Sequence, residues 1–149
     1  TPFTNQPFEA IKLITKLKNI KSPGEFNGDV VSIFNSFFEL GGFRLPTISA
    51  IFHFCHCDNF PIVDRNIEAA CADFAEQVEM EAPKLLSGKK NDDKKNLEIY
   101  KQFISFLDKL KKVHNDSHET NYSYRDLDKS LMVYGAKKLR NNKKRRENN

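Results

Sequence analysis

The chain has 149 residues and a net charge of +4, a length that suits one domain able to bury about two-thirds of the surface its unfolded form exposes. Cys55, Cys57 and Cys71 are its three cysteines, at spacings that fit neither a disulfide framework nor a zinc pattern. They point to a reducing, intracellular setting: cytoplasm or nucleoid, or the nucleus in a eukaryote. No apolar run approaches the roughly 20 residues of a membrane span, and nothing reads as a signal peptide, so no membrane partner is expected.

The charge is unevenly placed. Residues 137–149 hold seven basic side chains against Glu147, a local charge of +6 that leaves the rest of the chain at −2. A body with that balance does not hold nucleic acid by its overall field, so any such contact must rest on a local site and on the basic end.

Phenylalanine dominates the aromatics, glycine and proline are sparse, and strand-like alternation is hard to find, which together predict an all-α, single-domain bundle of about six helices. Phe8, Ile11, Leu13, Ile14 and Leu17 describe a first amphipathic helix with Thr4 or Asn5 as its cap, stopped by Ser22-Pro23-Gly24. A second helix from about Asp29 to Leu40 turns Val30, Ile33, Phe34, Phe37 and Phe38 inward and ends at Gly41 and Gly42, which start a tight turn. Pro46 suits the first turn of the next helix, where Ile48, Ile51, Phe52 and Cys55 keep helical spacing. Ala50 and Phe54 widen that apolar surface until most of the helix looks buried. Asp64 follows Pro61 and is placed to cap a fourth helix through Ile67, Ala70, Cys71, Phe74 and Val78.

After Pro83 the run from Leu86 to Asn96 reads as a polar loop. A fifth helix spans about Leu97 to Val113, His114 to Tyr122 reads as a second polar loop, and Ser123 with Asp126 resembles a capping box. The last helix then faces inward with Leu127, Leu131 and Tyr134. Residues 1–139 form the expected domain and 140–149 a basic, disordered tail.

The order hairpin, buried helix, Phe60-Pro61-Ile62-Val63-Asp64-Arg65-Asn66 resembles the helix-hairpin-helix DNA glycosylases, above all the adenine glycosylase and endonuclease III branch. Thr47, Ala50 and Ile51 match the helix after the family's hairpin, and Phe60, Pro61, Ile62, Asp64 and Asn66 match the segment carrying its catalytic acid. The match covers less than a third of the chain. Arg44 replaces the second hairpin glycine, Pro46 stands where bifunctional members place a Schiff-base lysine, and the iron-sulfur cysteines are lacking, since all three cysteines lie at or before Cys71.

The resemblance implies a DNA-binding, DNA-repair protein, a monofunctional N-glycosylase without lyase activity in which Asp64 is the catalytic carboxylate. It places Gly41, Gly42, Phe43, Arg44, Thr47 and Arg65 against double-stranded DNA; by charge alone, Lys143, Lys144, Arg145 and Arg146 are expected to add salt-sensitive affinity. A monovalent cation held by hairpin carbonyls is the only cofactor implied.

The residues by themselves leave other accounts open. Asp64 has the type and position of a helix cap. The hairpin also suits a plain helix connection with a solvated arginine, as in a non-catalytic DNA-binding relative or a helical protein-interaction module. His53, Cys55, His56 and Cys57 do not converge on one helix face, which favours a buried helix over a metal site.

Overall fold

The computed structural model describes residues 6–24, 26–85 and 93–149. Within them lie six helices and no strand: α1 (Gln6–Lys18), α2 (Gly28–Glu39), α3 (Leu45–Cys55), α4 (Arg65–Val78), α5 (Asp93–His118) and α6 (Tyr124–Glu147). The cap expected at Thr4 or Asn5 and most of the polar loop expected at 86–96 lie outside the described residues.

Side-chain caps set several helix starts. Asn27 accepts the Val30 amide, Asp64 accepts the Ile67 amide, and Ser123 and Asp126 form a reciprocal capping box at the start of α6. Each satisfies donors that a helix N-terminus would otherwise leave unpaired.

Helices α1, α2 and α3 pack together, α4 and α6 lie along one another, and α5 joins the two groups by touching α2, α3, α4 and α6. The seam is aromatic. Phe34 of α2 stacks on Tyr100 of α5 at 5.7 Å between ring centres, and Phe52 of α3 meets Phe34 edge-on at 5.7 Å and Phe60 at 5.1 Å. Burying each such ring contributes roughly 1.5–3 kcal/mol, before the further gain of edge-on packing.

Several sequence expectations are corrected here. Phe8 and Ile11, assigned to the inner face of α1, are 67% and 59% exposed; only Leu17 of that helix is fully covered. Phe54 of α3 is 70% exposed, so this helix keeps one open face. Helix α5 begins before Leu97 and continues to His118, into the first part of the stretch expected as loop, while residues 119–122 lie outside any helix as expected; Glu119 turns left-handed at φ 51°. Tyr134 points outward and donates to Asp73 at 2.7 Å.

The tail expected to be disordered is helical as far as Glu147. Lys, Arg and Asn offer no stop signal, and Lys144, Arg145 and Arg146 sit in the last turn, where positive charge complements the helix dipole.

Close contact of α6 with α4 depends on Gly135, since a Cβ there would stand 1.8 Å from the backbone oxygen of Asn66. Gly135→Ala should therefore lower unfolding stability by roughly 3 kcal/mol in a urea titration, as overpacking does. Gly28→Ala, where an added Cβ meets nothing within 4 Å, should change it by less than about 1 kcal/mol.

Candidate functional site

The hairpin lies between α2 and α3. Helix α2 gives way at Leu40, Gly41 and Gly42 both adopt φ 76°, and Arg44 stands extended at the N-cap of α3. Two consecutive left-handed residues would cost a side-chain-bearing pair roughly 1–2 kcal/mol each. Arg44 makes no side-chain cap hydrogen bond, and α3 starts at Leu45 with Pro46 in its first turn. Gly41, Gly42, Arg44 and Thr47 are exposed. Phe43 turns inward instead, its ring 5.6 Å from Phe37, and so fastens the hairpin to α2.

Asp64 is half-buried, and its Oδ1 accepts the Ile67 amide at 2.8 Å. The cap role drawn from its position is therefore present. Arg65 beside it is exposed.

What joins hairpin helix and acid is Ser49, in the second turn of α3. Its hydroxyl accepts the Val63 amide at 3.0 Å and directs its own hydrogen toward the carbonyls of Pro46 at 2.9 Å and Val63 at 3.2 Å. The residue next to Asp64 is thus tied to α3, one turn in from the start of that helix.

The same segment is held from three more directions. His53 Nδ1 lies 2.7 Å from the Phe60 carbonyl, Tyr100 donates its hydroxyl hydrogen to the Pro61 carbonyl at 2.8 Å, and the Asp128 carboxyl lies close enough to the Ile62 amide for that amide to favour its charged form. His53 and Asp128 are each 1% exposed, and His53 Nε2 lies 3.8 Å from Asp128 Oδ2, inside ion-pair range but beyond a hydrogen bond. That Oδ2 is buried without a hydrogen-bond partner.

Burial pushes the Asp128 carboxyl up from its ordinary 3.8 to about 7; the Ile62 amide and Arg125 pull the other way, and the neighbouring charge of Asp64 adds to the rise. Arg125 also places its guanidinium 5.8 Å from the centre of the exposed Phe54 ring.

Ser49, His53, Tyr100 and Asp128 were not foreseen as supports of Asp64. One signal for Asp128 existed: it falls in register with Tyr124, Leu127, Leu131 and Gly135 on the inner face of α6, where a carboxylate has no place without a partner.

The basic side chains Lys143, Lys144, Arg145 and Arg146 are exposed at the far end of α6, roughly 25 Å along its axis from Asp128 at 1.5 Å per residue. They are not brought to the hairpin edge. Three clefts lie elsewhere: one lined by Met80, Lys84 and Lys101, one by Asp73, Lys138 and Arg145, one by Leu13, Asn27 and Ser36. None of these three includes Asp64 or the hairpin. Among the described residues no three His, Cys, Asp or Glu side chains are placed to hold a metal ion, and no helix is long and apolar enough to cross a membrane.

Compared with family models, curated proteins and solved structures, the chain matches none.

A carboxyl that binds its proton more tightly when folded adds stability below the unfolded-state value, and that stability is lost as pH rises toward the folded value. The fold should accordingly lose stability between about pH 4 and pH 7 on account of Asp128. Asp128→Asn, a neutral near-isostere, should flatten that slope and be relatively more stable at pH 8 than at pH 5, as read by urea unfolding at both.

Proposed function

We propose that this protein binds double-stranded DNA through the α2–α3 hairpin, with Asp64 as the carboxylate of a monofunctional N-glycosylase in a DNA-repair role. The observation that carries the proposal is the Ser49–Val63 hydrogen bond, which ties the segment leading to Asp64 to α3, the helix that follows the exposed glycine turn, Arg44 and Thr47 and has no side-chain cap at its N-terminus. Amide donors and the positive end of a helix dipole favour a phosphate, and Arg44 adds a charge-assisted contact. A monovalent cation at this turn would be held by backbone carbonyls.

On a duplex so gripped, the base is turned out of the stack and its bond to the sugar breaks, the electron pair leaving with the base. The Asp64 carboxylate stabilises the cation formed on the sugar and takes a proton from the water that adds to it, while the base gains a proton. Pro46, in the place of the family's lysine, offers no amine for a Schiff base, so strand cleavage by that route does not follow. The basic end of α6 supplies non-specific affinity at a distance from the hairpin.

A second reading, DNA binding without catalysis, is favoured by the cap bond of Asp64 and by clefts that lie away from it. The two separate in one experiment on duplexes carrying a panel of damaged and mispaired bases. Asn caps a helix as well as Asp does, so Asp64→Asn should fold and bind duplex normally while base release falls by at least about a hundredfold. Base release absent from wild type as well, with binding intact, selects the non-catalytic reading.

Removing Arg44 tests the contact itself. Arg44→Ala should weaken duplex binding and reduce the slope of log affinity against log salt by about 0.9, one phosphate contact. An unchanged affinity and slope would leave the hairpin as a mere connection between helices.

A further inference from the structure

The buried pair His53 and Asp128 lies directly behind residues 60–64, and neither reading of the site uses it. The Phe60 carbonyl can only accept, so His53 Nδ1, 2.7 Å away, carries hydrogen. The other ring nitrogen then meets Asp128 Oδ2 at 3.8 Å either as a lone pair or as a second N–H. A lone pair facing a carboxylate in a dry site is repulsive. One proton removes the conflict, giving either neutral imidazole with carboxylic acid or imidazolium with carboxylate, and both arrangements carry zero net charge.

We infer that His53 and Asp128 share a single buried proton, that this pair positions the segment carrying Asp64, and that losing the proton sets an uncompensated negative charge behind the DNA-binding edge. Asp128 is the positioning residue here: it acts on Asp64 through the Ile62 amide and through His53, not on DNA directly.

The groups facing it agree. Asp64 at the head of α4 repels a charge on Asp128, and Arg125, the nearest cation on its own helix, favours one. Tyr100 of α5 and Tyr124 of α6 also face Asp128 and are held protonated, chiefly by their own burial and further by its charge. Of these neighbours only Arg125 favours loss of the compensating proton, and it is also drawn over the Phe54 ring. The upward push on the carboxyl to about 7 sets the range in which that proton leaves.

The part of this inference that concerns affinity rests on the DNA-binding proposal; the shared proton does not. Two measurements on the full chain between pH 5.5 and 8.5 keep them apart. In the first, the backbone amide shifts of Ile62, Val63 and Ile67 should move together with one midpoint near 7 in wild type, and that transition should vanish in both Asp128→Asn and His53→Gln. Absence of the common transition, or its survival in Asp128→Asn, overturns the shared proton.

In the second, affinity for an undamaged duplex at fixed salt should fall about tenfold from pH 6 to pH 8 in wild type and stay level in Asp128→Asn. Arg44→Ala should bind more weakly throughout yet keep the wild-type amide transition. If DNA binds in an Arg44-dependent way but with the same pH profile in wild type and Asp128→Asn, the coupling to the site is overturned. If the amides titrate as expected and duplex does not bind at all, the shared proton stands and the DNA-binding proposal falls.

Discussion

Residues 60–63 are buried outside any helix, with no strand among the described residues to pair with, and buried backbone groups in that state must find other partners. Here they find side chains. His53 faces one carbonyl, Tyr100 the next, the Asp128 carboxyl lies toward the Ile62 amide, and Ser49 serves both the amide and the carbonyl of Val63. Leaving a buried donor or acceptor unpaired costs about 1–3 kcal/mol, so each support matters on the scale of a domain's net stability. The supports come from α3, α5 and α6, which must all be docked before the segment is satisfied. Local order around Asp64 is therefore a product of the whole bundle and not of its own stretch of chain.

This arrangement ties the segment that leads to Asp64 to the helix that follows the hairpin, though the two are separated in sequence. The aromatic seam fixes α3 against α2 and α5, and Phe43 fastens the turn to α2. Ser49 then transfers the position of α3 to Val63, and Asp64 follows as the cap of α4. The chemistry proposed for Asp64 and the hairpin, whether holding phosphate or supporting a sugar cation, depends on geometry far more than on net charge. The body's overall negative balance is then no obstacle.

Much of the fold was legible because its signals are local. The glycine turn, Pro46 at the head of α3, the Asp64 cap and the Ser123–Asp126 box all stand where helix-boundary chemistry places them. Long-range facts were not legible. Phe8, Ile11 and Phe54 fit a helical apolar face, yet all three stay largely exposed. Charge density at 140–147 suggested disorder, whereas the absence of any breaker lets α6 continue. The site itself divides the same way: Asp64 and the hairpin follow from short motifs, while Tyr100 and Asp128 reach the segment from distant parts of the chain. The basic cluster, grouped with the hairpin by charge alone, ends up at the opposite end of α6 from Asp128.

Buried ion pairs can often be replaced by apolar residues of similar volume with little loss, because two desolvation penalties disappear together. His53 and Asp128 do not fit that pattern. His53 also serves a backbone group, the Phe60 carbonyl, and Asp128 is influenced by the Ile62 amide, so an apolar pair in their place would strand at least the Phe60 acceptor in the core. The polarity at this point is imposed by the buried segment, and a polar residue forced into a dry site next to another titratable group acquires a sensitive proton as a consequence. Structural necessity and proton sensitivity thus have one origin here: a buried stretch of backbone that leads to Asp64 with no strand among the described residues to pair with.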